Sequence, residues 1–353
     1  MKSYDVTEWG KPLQARIRET PSPRDREVLL RLTHCGVCHS DVHVRDGYFD
    51  MGGGKKLSLG DRGLKLPVTL GHEPLGVVTA TGEAVTGVKT GASYLVNPWI
   101  GCGACRMCAA GNDHLCQNLR ALGIGAPGGF ATHLLVPDAK YLVDVAGLDP
   151  AKTAPLACSG LTTYCAAKKL QPIDPEEWVA VLGCGGLGLM ALAVLRGLGH
   201  ERVIACDIDD AKLAAARARG AKETCNLKSE GLKRLTQIAG GALCGMLDFV
   251  GTPSTVALAA PALRKGGRFV LCGLIGGEAS LPLPVFGMRE ISILGSTVGA
   301  TRDLVELVAL VRQGRIRLDE VERRPLAMAE QSLSDLAHGK VIGRVVLEMQ
   351  GEG

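Results

Sequence analysis

Between about residue 160 and residue 296 the chain repeats one pattern, a short unbroken apolar run followed by a longer stretch with helical spacing. WVAVLG (178–183), RVIACD (202–207), ETCNL (223–227), MLDFVG (246–251), RFVLCG (268–273) and ISILGS (291–296) predict strands, since continuous apolar runs of this length must be covered on both faces. LGLMALAVLRGLG (187–199) and DAKLAAARARG (210–220) predict helices that do the covering. Strands alternating with helices predict an α/β fold with an open, doubly wound parallel sheet. The first 150 residues follow another rule. VLLRLTHCG (28–36), LGVVTATG (75–82), ASYLVNP (92–98) and FATHLLVP (130–137) are β-rich runs cut by Gly and Pro. After Gly295 come one more helical stretch (302–313) and a late strand, VVLEM (345–349), with no linker before them. The tail is therefore expected to return to the first lobe, dividing the chain into a β-rich domain (1–156 and 297–353) and an α/β domain (157–296).

Composition narrows the partners. The 353 residues suit about two domains. A net charge of +4, with acids interleaved among the bases, gives no footprint for nucleic acid. The run from Trp178 to Leu195 has 18 residues and no charge, but the glycines at its centre predict a turn between two buried elements rather than a membrane span. The opening MKSYDVTEWGKPLQARIRE has no apolar segment, and with 13 cysteines in the chain it predicts a reducing, cytoplasmic setting with free thiols. Small-molecule partners are expected.

A dinucleotide site is predicted where the first α/β strand meets its helix. Gly183, Gly185 and Gly188 form a GxGxxG pattern, with Gly186 and Leu187 opening the helix. The first glycine permits the turn, the second lets backbone approach a pyrophosphate at the helix N-terminus, and the third allows close helix–strand packing. Asp207 ends the next strand. A carboxylate there accepts hydrogen bonds from both ribose hydroxyls and repels a 2′-phosphate, so NAD is predicted over NADP. Lys212, one helical turn on, is a second candidate for the same ribose.

Four cysteines, Cys102, Cys105, Cys108 and Cys116, lie in a loop rich in Gly, Ala, Asn and Asp. Short C-x-x-C steps present several thiolates to one point, the pattern of a closed, structural zinc site. Such a site stabilises a lobe and leaves no position for chemistry. Three other pieces carry possible ligands for a second metal: Cys38 in CGVCHSDVH, His72 with Glu73 in GHE, and Cys158 in PLACSGLTTY.

Taken together, and ahead of the glycine fingerprint, these pieces resemble the zinc-dependent medium-chain alcohol dehydrogenases over essentially the whole chain. Within that family the segment from Tyr48 to Leu66, the PWIG run and PLACSGLTTY are most similar to the tetrameric, NAD-dependent archaeal and bacterial secondary-alcohol type. The resemblance implies a GroES-like catalytic domain beside a Rossmann domain, two zinc ions per chain, NAD, an alcohol or ketone substrate, and a homotetramer or dimer. It implies Cys38, His72 and Cys158 as catalytic zinc ligands with one position open. Glu73 would be the acidic neighbour that approaches the metal during ligand exchange, and Asp41 the group that fixes the His72 ring. Ser40 and His43 would carry the alcohol proton to solvent. His39 and Arg344 would lie near the pyrophosphate, Thr162 behind the nicotinamide, and Val250, Cys272 and Leu274 along the cofactor. Phe49, Trp99, Ile124 and Leu274 would line the substrate channel. One departure stands out. Similar family members carry a bulky aromatic after the fourth cysteine of the closed site, where this chain has Ala121, so a wider pocket accepting bulky or cyclic secondary alcohols is expected. The zinc-free quinone and enoyl reductases share the fold and fingerprint but lack these ligands, and a polyol or cyclic-alcohol dehydrogenase of the same superfamily is the other alternative.

Overall fold

A computed structural model describes residues 1–349. Its second sheet is the one predicted by the continuous apolar runs. Six parallel strands lie in the order Glu223–Asn226, Val203–Asp207, Val179–Leu182, Leu243–Asp248, Leu263–Leu271, Ser292–Gly295. The two halves of the sheet grow outward from the central Val179–Leu182 strand, which is wholly buried. Helix Gly186–Gly197 follows it directly, because Gly183 (φ 87°) reverses the chain in a conformation costly for other residues. The long uncharged run thus divides into strand, turn and helix, and no helix among the described residues is long and apolar enough to cross a membrane.

The first lobe is built on a seven-stranded sheet centred on Val28–Val37. That strand pairs antiparallel with Pro74–Thr81, His133–Val136 and Val345–Glu348. The late strand therefore does return to the first lobe, and it also pairs in parallel with Glu322–Pro325. A small sheet of Lys2–Val6, Gln14–Ile17 and Val68–Thr69, and a hairpin of Tyr48–Asp50 with Lys56–Ser58, complete the strands. These short elements have too few apolar positions for periodicity to announce them.

Where the two sheets meet, helix Ser159–Leu170 crosses between them, with nine of its residues buried. The sequence pattern marks this stretch as a ligand segment and predicts no helix there. Its polar residues conceal the periodicity, since Ser159 and Thr163 turn their hydroxyls back onto the carbonyls of Pro155 and Ser159. A Cβ on Gly160 would lie 2.6 Å from Leu156 and 3.1 Å from Leu307. That glycine lets helix Thr301–Arg312 pack closely, and Pro172 ends the crossing helix by disfavouring helical geometry at Gln171. One apolar cluster runs from Cys38, Trp99 and Cys158 through this helix into the α/β sheet.

Candidate metal centres and dinucleotide cleft

Cys38 caps the N-terminus of helix His39–Asp46. The first turn would leave the Cys38 N–H without an acceptor, and Asp41 supplies one at 2.9 Å. The same carboxylate accepts from the backbone of Gly71 at 3.1 Å and from His72 Nδ1 at 3.0 Å. With Nδ1 engaged, the ring directs Nε2 the other way, and this buried atom has no hydrogen-bond partner. It faces two thiols. The Cys38 and Cys158 sulfurs are 4.0 Å apart, and one ligand atom from each of Cys38, His72 and Cys158 falls within 4.8 Å of the others.

The electrostatics of this pocket suit a cation. Donation from Cys158 outweighs burial and holds the Cys38 thiol well below its usual range, while the same bond and burial push Cys158 well above it. Burial disfavours a charged His72 ring, yet Asp41 and Cys38 overcome it and hold the imidazole above 6.5. One shared negative charge thus attracts a proton to the site, and a divalent ion would take that proton's place and let both thiols ionise. Two thiolates and an imidazole are a donor set that zinc accepts, with room for a fourth ligand.

Glu73 follows His72 and has polar partners of its own. Its Oε1 accepts from the Ser159 backbone at 3.3 Å, and its Oε2 accepts from Arg344. Burial lifts Glu73 to about 7, against the pull of Arg344. Gly36 makes this position possible, since a Cβ there would collide with the carboxylate. Trp99 is held by its indole N–H on the Ala157 carbonyl at 3.2 Å, and its ring centroid lies 5.7 Å from that of His72. Ala121 is buried in the apolar cluster that includes Cys38, Trp99 and Cys158, and Ile124 packs on its edge. Leu274 is apart from them, 55% exposed on the loop after the fifth α/β strand.

In the second thiol group the sulfur separations are 4.0 Å for Cys102–Cys108, 3.5 Å for Cys105–Cys108 and 3.8 Å for Cys105–Cys116. A tetrahedron of zinc–sulfur bonds has edges of about 3.8 Å. Backbone N–H groups of Ala104 and Cys105 draw Cys102 down to about 6, whereas burial holds Cys108 up at about 12. Two supports of this loop escape a sequence reading. Asp113 accepts from Tyr141 at 2.8 Å and Lys140 at 3.0 Å, and the Tyr141 oxygen accepts from Gly101, beside Cys102. Arg302, far along the chain, grips the carbonyls of Ala110 and Gly111 at 3.1 Å each. Only the proximity of Asp113 to Cys116 could have drawn notice in the sequence.

The glycine fingerprint forms a cradle. A Cβ on Gly185 would meet nothing within 4 Å, so the backbone there is open to a ligand. On Gly188 a Cβ would collide with the Gly183 carbonyl, and on Gly183 it would lie 2.7 Å from Val250. Asp207 accepts from the backbone of Cys184 at 2.7 Å and from Ile208 and Asp209, which fixes it beside the glycine turn. Arg344 packs its Cδ against Gly186 while its buried Nε lacks a partner, so the guanidinium spans from Glu73 to the helix N-terminus. Lys212 lies half-exposed on helix Asp210–Ala218, Cys272 donates its backbone N–H to the Asp248 carbonyl at 2.8 Å, and Thr162 is buried one turn past Cys158. Ser40 and His43 are one turn apart on helix His39–Asp46, with His39 exposed before them.

A parallel sheet with a glycine cradle, joined to a β-lobe with one closed and one open donor set, defines the metal-dependent, dinucleotide-using class of oxidoreductase. Comparison with known proteins agrees. Residues 24–147 match the alcohol dehydrogenase GroES-like domain, and residues 186–313 match the zinc-binding dehydrogenase domain. The NAD-dependent alcohol dehydrogenase of Sulfurisphaera tokodaii is 35% identical over 98% of this chain and 99% of its own length. That of Saccharolobus solfataricus is 34% identical over the same shares. Among solved structures, the alcohol dehydrogenase of Aeropyrum pernix superposes with a TM-score of 0.89 at 32% identity, covering 99% of this chain and 100% of the other. The acetophenone reductase of Geotrichum candidum, in complex with NAD, gives 0.84 at 30% identity, covering 98% and 96%. The chain belongs to the zinc-dependent medium-chain alcohol dehydrogenase family and is an enzyme of that oxidoreductase class.

Because Asp41 fixes both the cap of Cys38 and the tautomer of His72, Asp41→Asn is expected to weaken metal binding at that site by roughly 10–100-fold while leaving the four-thiol loop loaded. Competition with a chromophoric chelator reads the two populations separately, and equal loss from both sites would contradict the assignment.

Proposed function

We propose that the protein oxidises primary and secondary alcohols, including bulky or cyclic ones, to aldehydes and ketones with NAD, and catalyses the reverse reduction. The observation that carries this is the buried Cys38–His72–Cys158 group with its unpartnered His72 Nε2. The β-rich domain (1–156 and 297–353) supplies the four-thiol loop, Cys38 and His72, and the α/β domain (157–296) supplies Cys158 and the cofactor cradle. When bound, zinc offers Lewis acidity toward an alcohol oxygen, and NAD offers a hydride acceptor.

This chain's own groups handle the proton and the orientation. Ser40, in the first turn after Cys38, accepts the hydroxyl proton. His43 lies three residues on, where helical geometry makes neighbours of the two side chains, and passes the proton outward. Burial and the neighbouring His39 hold His43 below 6.5, against Asp46 and Cys38, so the ring is neutral and basic near pH 7. Asp41 and Trp99 keep His72 oriented. Glu73, buried and near neutrality, is the group that can lend charge during ligand exchange. Gly183 to Gly188, Asp207 and Arg344 hold the dinucleotide, with His39, Lys212, Val250, Cys272 and Leu274 beside it and Thr162 behind its reactive ring. Phe49, Trp99, Ala121, Ile124 and Leu274 shape the substrate channel. An acetophenone reductase among the structural relatives supports the bulky-substrate reading.

The unit in solution is inferred to be a homotetramer, with a dimer as the smaller alternative. In its support, strand Ser292–Gly295 forms an unpaired sheet edge among the described residues, and Leu283 and Met288 nearby are 75% and 72% exposed. A cytoplasmic setting is supported by 13 cysteines without a disulfide among them.

Two zinc ions per chain are expected by elemental analysis, together with NADH formation across a panel of alcohols. One metal or none, with no alcohol oxidised, would sink the proposal. The placement of Asp207 predicts a strong preference for NAD. Replacing Asp207 by Gly and Ile208 by Arg should move the ratio of kcat/KM values toward NADP by removing a repulsion and adding a phosphate partner, and equal efficiency with both cofactors in the parent would contradict this. Ala121→Trp should lower kcat/KM for bulky aryl or cyclic alcohols at least ~10-fold more than for propan-2-ol, because steric exclusion acts on the part of the substrate that needs the room. An equal effect on both substrates would remove Ala121 from the channel wall.

A further inference from the structure

The hairpin of Tyr48–Asp50 and Lys56–Ser58 belongs to neither metal site nor to the dinucleotide cradle, yet it is tightly placed. Gly47 (φ 82°) ends helix His39–Asp46 in a left-handed turn and folds the chain straight back beside the helix. There is no room for a side chain at this corner, since a Cβ on Gly47 would lie 2.8 Å from the Trp9 ring. Phe49 is thereby laid over His43, with ring centroids 4.8 Å apart and planes 36° apart. His39 meets the same imidazole edge-on at 5.4 Å. At its far end the hairpin touches the α/β domain. A Cβ on Gly52 would lie 2.6 Å from the Gly277 carbonyl carbon and 2.7 Å from Glu278, and one on Gly276 would collide with the Asp50 carbonyl. Phe49 is thus held from both sides, by the corner at Gly47 and by backbone contact at the tip.

We propose that Phe49 is a positioning residue for the proton relay, its ring excluding water from one face of His43 and fixing the orientation in which the imidazole receives a proton. The inference rests on reading His43 as the relay base. It gives Phe49 a task distinct from lining the channel. An aromatic face at this distance removes hydration from a cationic ring, and an imidazole packed on both sides has few rotamers left. Among the charges near His43 only His39 works in the same direction as burial, and burial outweighs it. His39 disfavours its protonation, while Asp46 and the Cys38 thiolate favour it. Arg45 is engaged by Asp46 and Glu330. On the hairpin, Lys56 sits over the Tyr48 ring at 3.7 Å, and Asp50 is exposed. Glu278 packs against Gly52 at the tip. Burial is the largest influence holding His43 below its ordinary value, and Phe49 supplies part of that burial.

The sign follows. A histidine held below 6.5 keeps its neutral, proton-accepting form to lower pH, so uncovering it raises the pH at which the base form is lost. In the full-length, zinc-loaded protein, with histidine ring carbons isotopically labelled, the His43 resonance is assigned from His43→Gln and titrated in the parent, Phe49→Ala and the milder Phe49→Leu. The midpoint should rise by about half to one pH unit in Phe49→Ala and by less in Phe49→Leu. The acid limb of kcat/KM should rise with it for both propan-2-ol and cyclohexanol. A midpoint unchanged in both variants, with kcat/KM altered only according to substrate size, would make Phe49 a channel wall and overturn the proposal. A midpoint that rises while the acid limb stays fixed, and a His43→Gln variant with parental activity, would overturn the reading of His43 as relay base instead.

Discussion

One buried carboxylate holds the Cys38–His72–Cys158 group together. Asp41 accepts three hydrogen bonds, from the backbone of Cys38, the backbone of Gly71 and the ring of His72. A fully buried anion is costly unless every lone pair is occupied and a countercharge lies close. Here the backbone donors come from a helix start and from a tight turn, two places where N–H groups lack partners in any case. The carboxylate therefore completes local structure at both ends while joining segments that are distant in sequence. His72 and Cys38 are placed by the same atom pair, so an error in one cannot be absorbed by the other.

The same economy recurs at Glu73. It is the next residue along, and it too is buried, but its partners are the guanidinium of Arg344 and the first N–H of the helix that follows Cys158. Arg344 in turn lies against Gly186 at the opening of the dinucleotide helix. A chain of contacts thus runs from the Cys38–His72–Cys158 group through Glu73 and Arg344 to the glycine turn. The Glu73–Arg344 pair in that chain is buried, where water screens it little.

What was legible in the sequence was whatever depends on local spacing. The glycines at 183, 185 and 188 lie within six residues of one another: Gly183 takes a left-handed turn, Gly185 leaves open space, and a Cβ on Gly188 would collide with the Gly183 carbonyl. The four cysteines of the loop lie within fifteen residues of one another, so their meeting needs no knowledge of the fold. Cys38, His72 and Cys158 are separated by long intervals, and only resemblance to a family linked them. Resemblance named residues without their physics. It offered Phe49 as a channel residue, while the contact with His43 follows from the left-handed turn at Gly47. Arg302 on the cysteine loop, and the Tyr141–Asp113 pair beneath it, arise from tertiary approach and left no mark on the pattern. Helix Ser159–Leu170 was hidden for a different reason, because hydroxyls that bond back to its own carbonyls read as loop chemistry.

The late strand that returns to the first sheet also constrains the order of assembly. Every pairing in the six-stranded sheet is made between elements of one continuous stretch, so that half can form from contacts that are near in sequence. Strand Val28–Val37 sits at the centre of its sheet and must wait for Val345–Glu348, on the far side of the whole inserted half. Closing so long a loop is entropically dearer while the intervening chain is extended, and it becomes easier once that chain has condensed. The inserted half thus acts as a splint, shortening the distance over which the first sheet must find its own last strand.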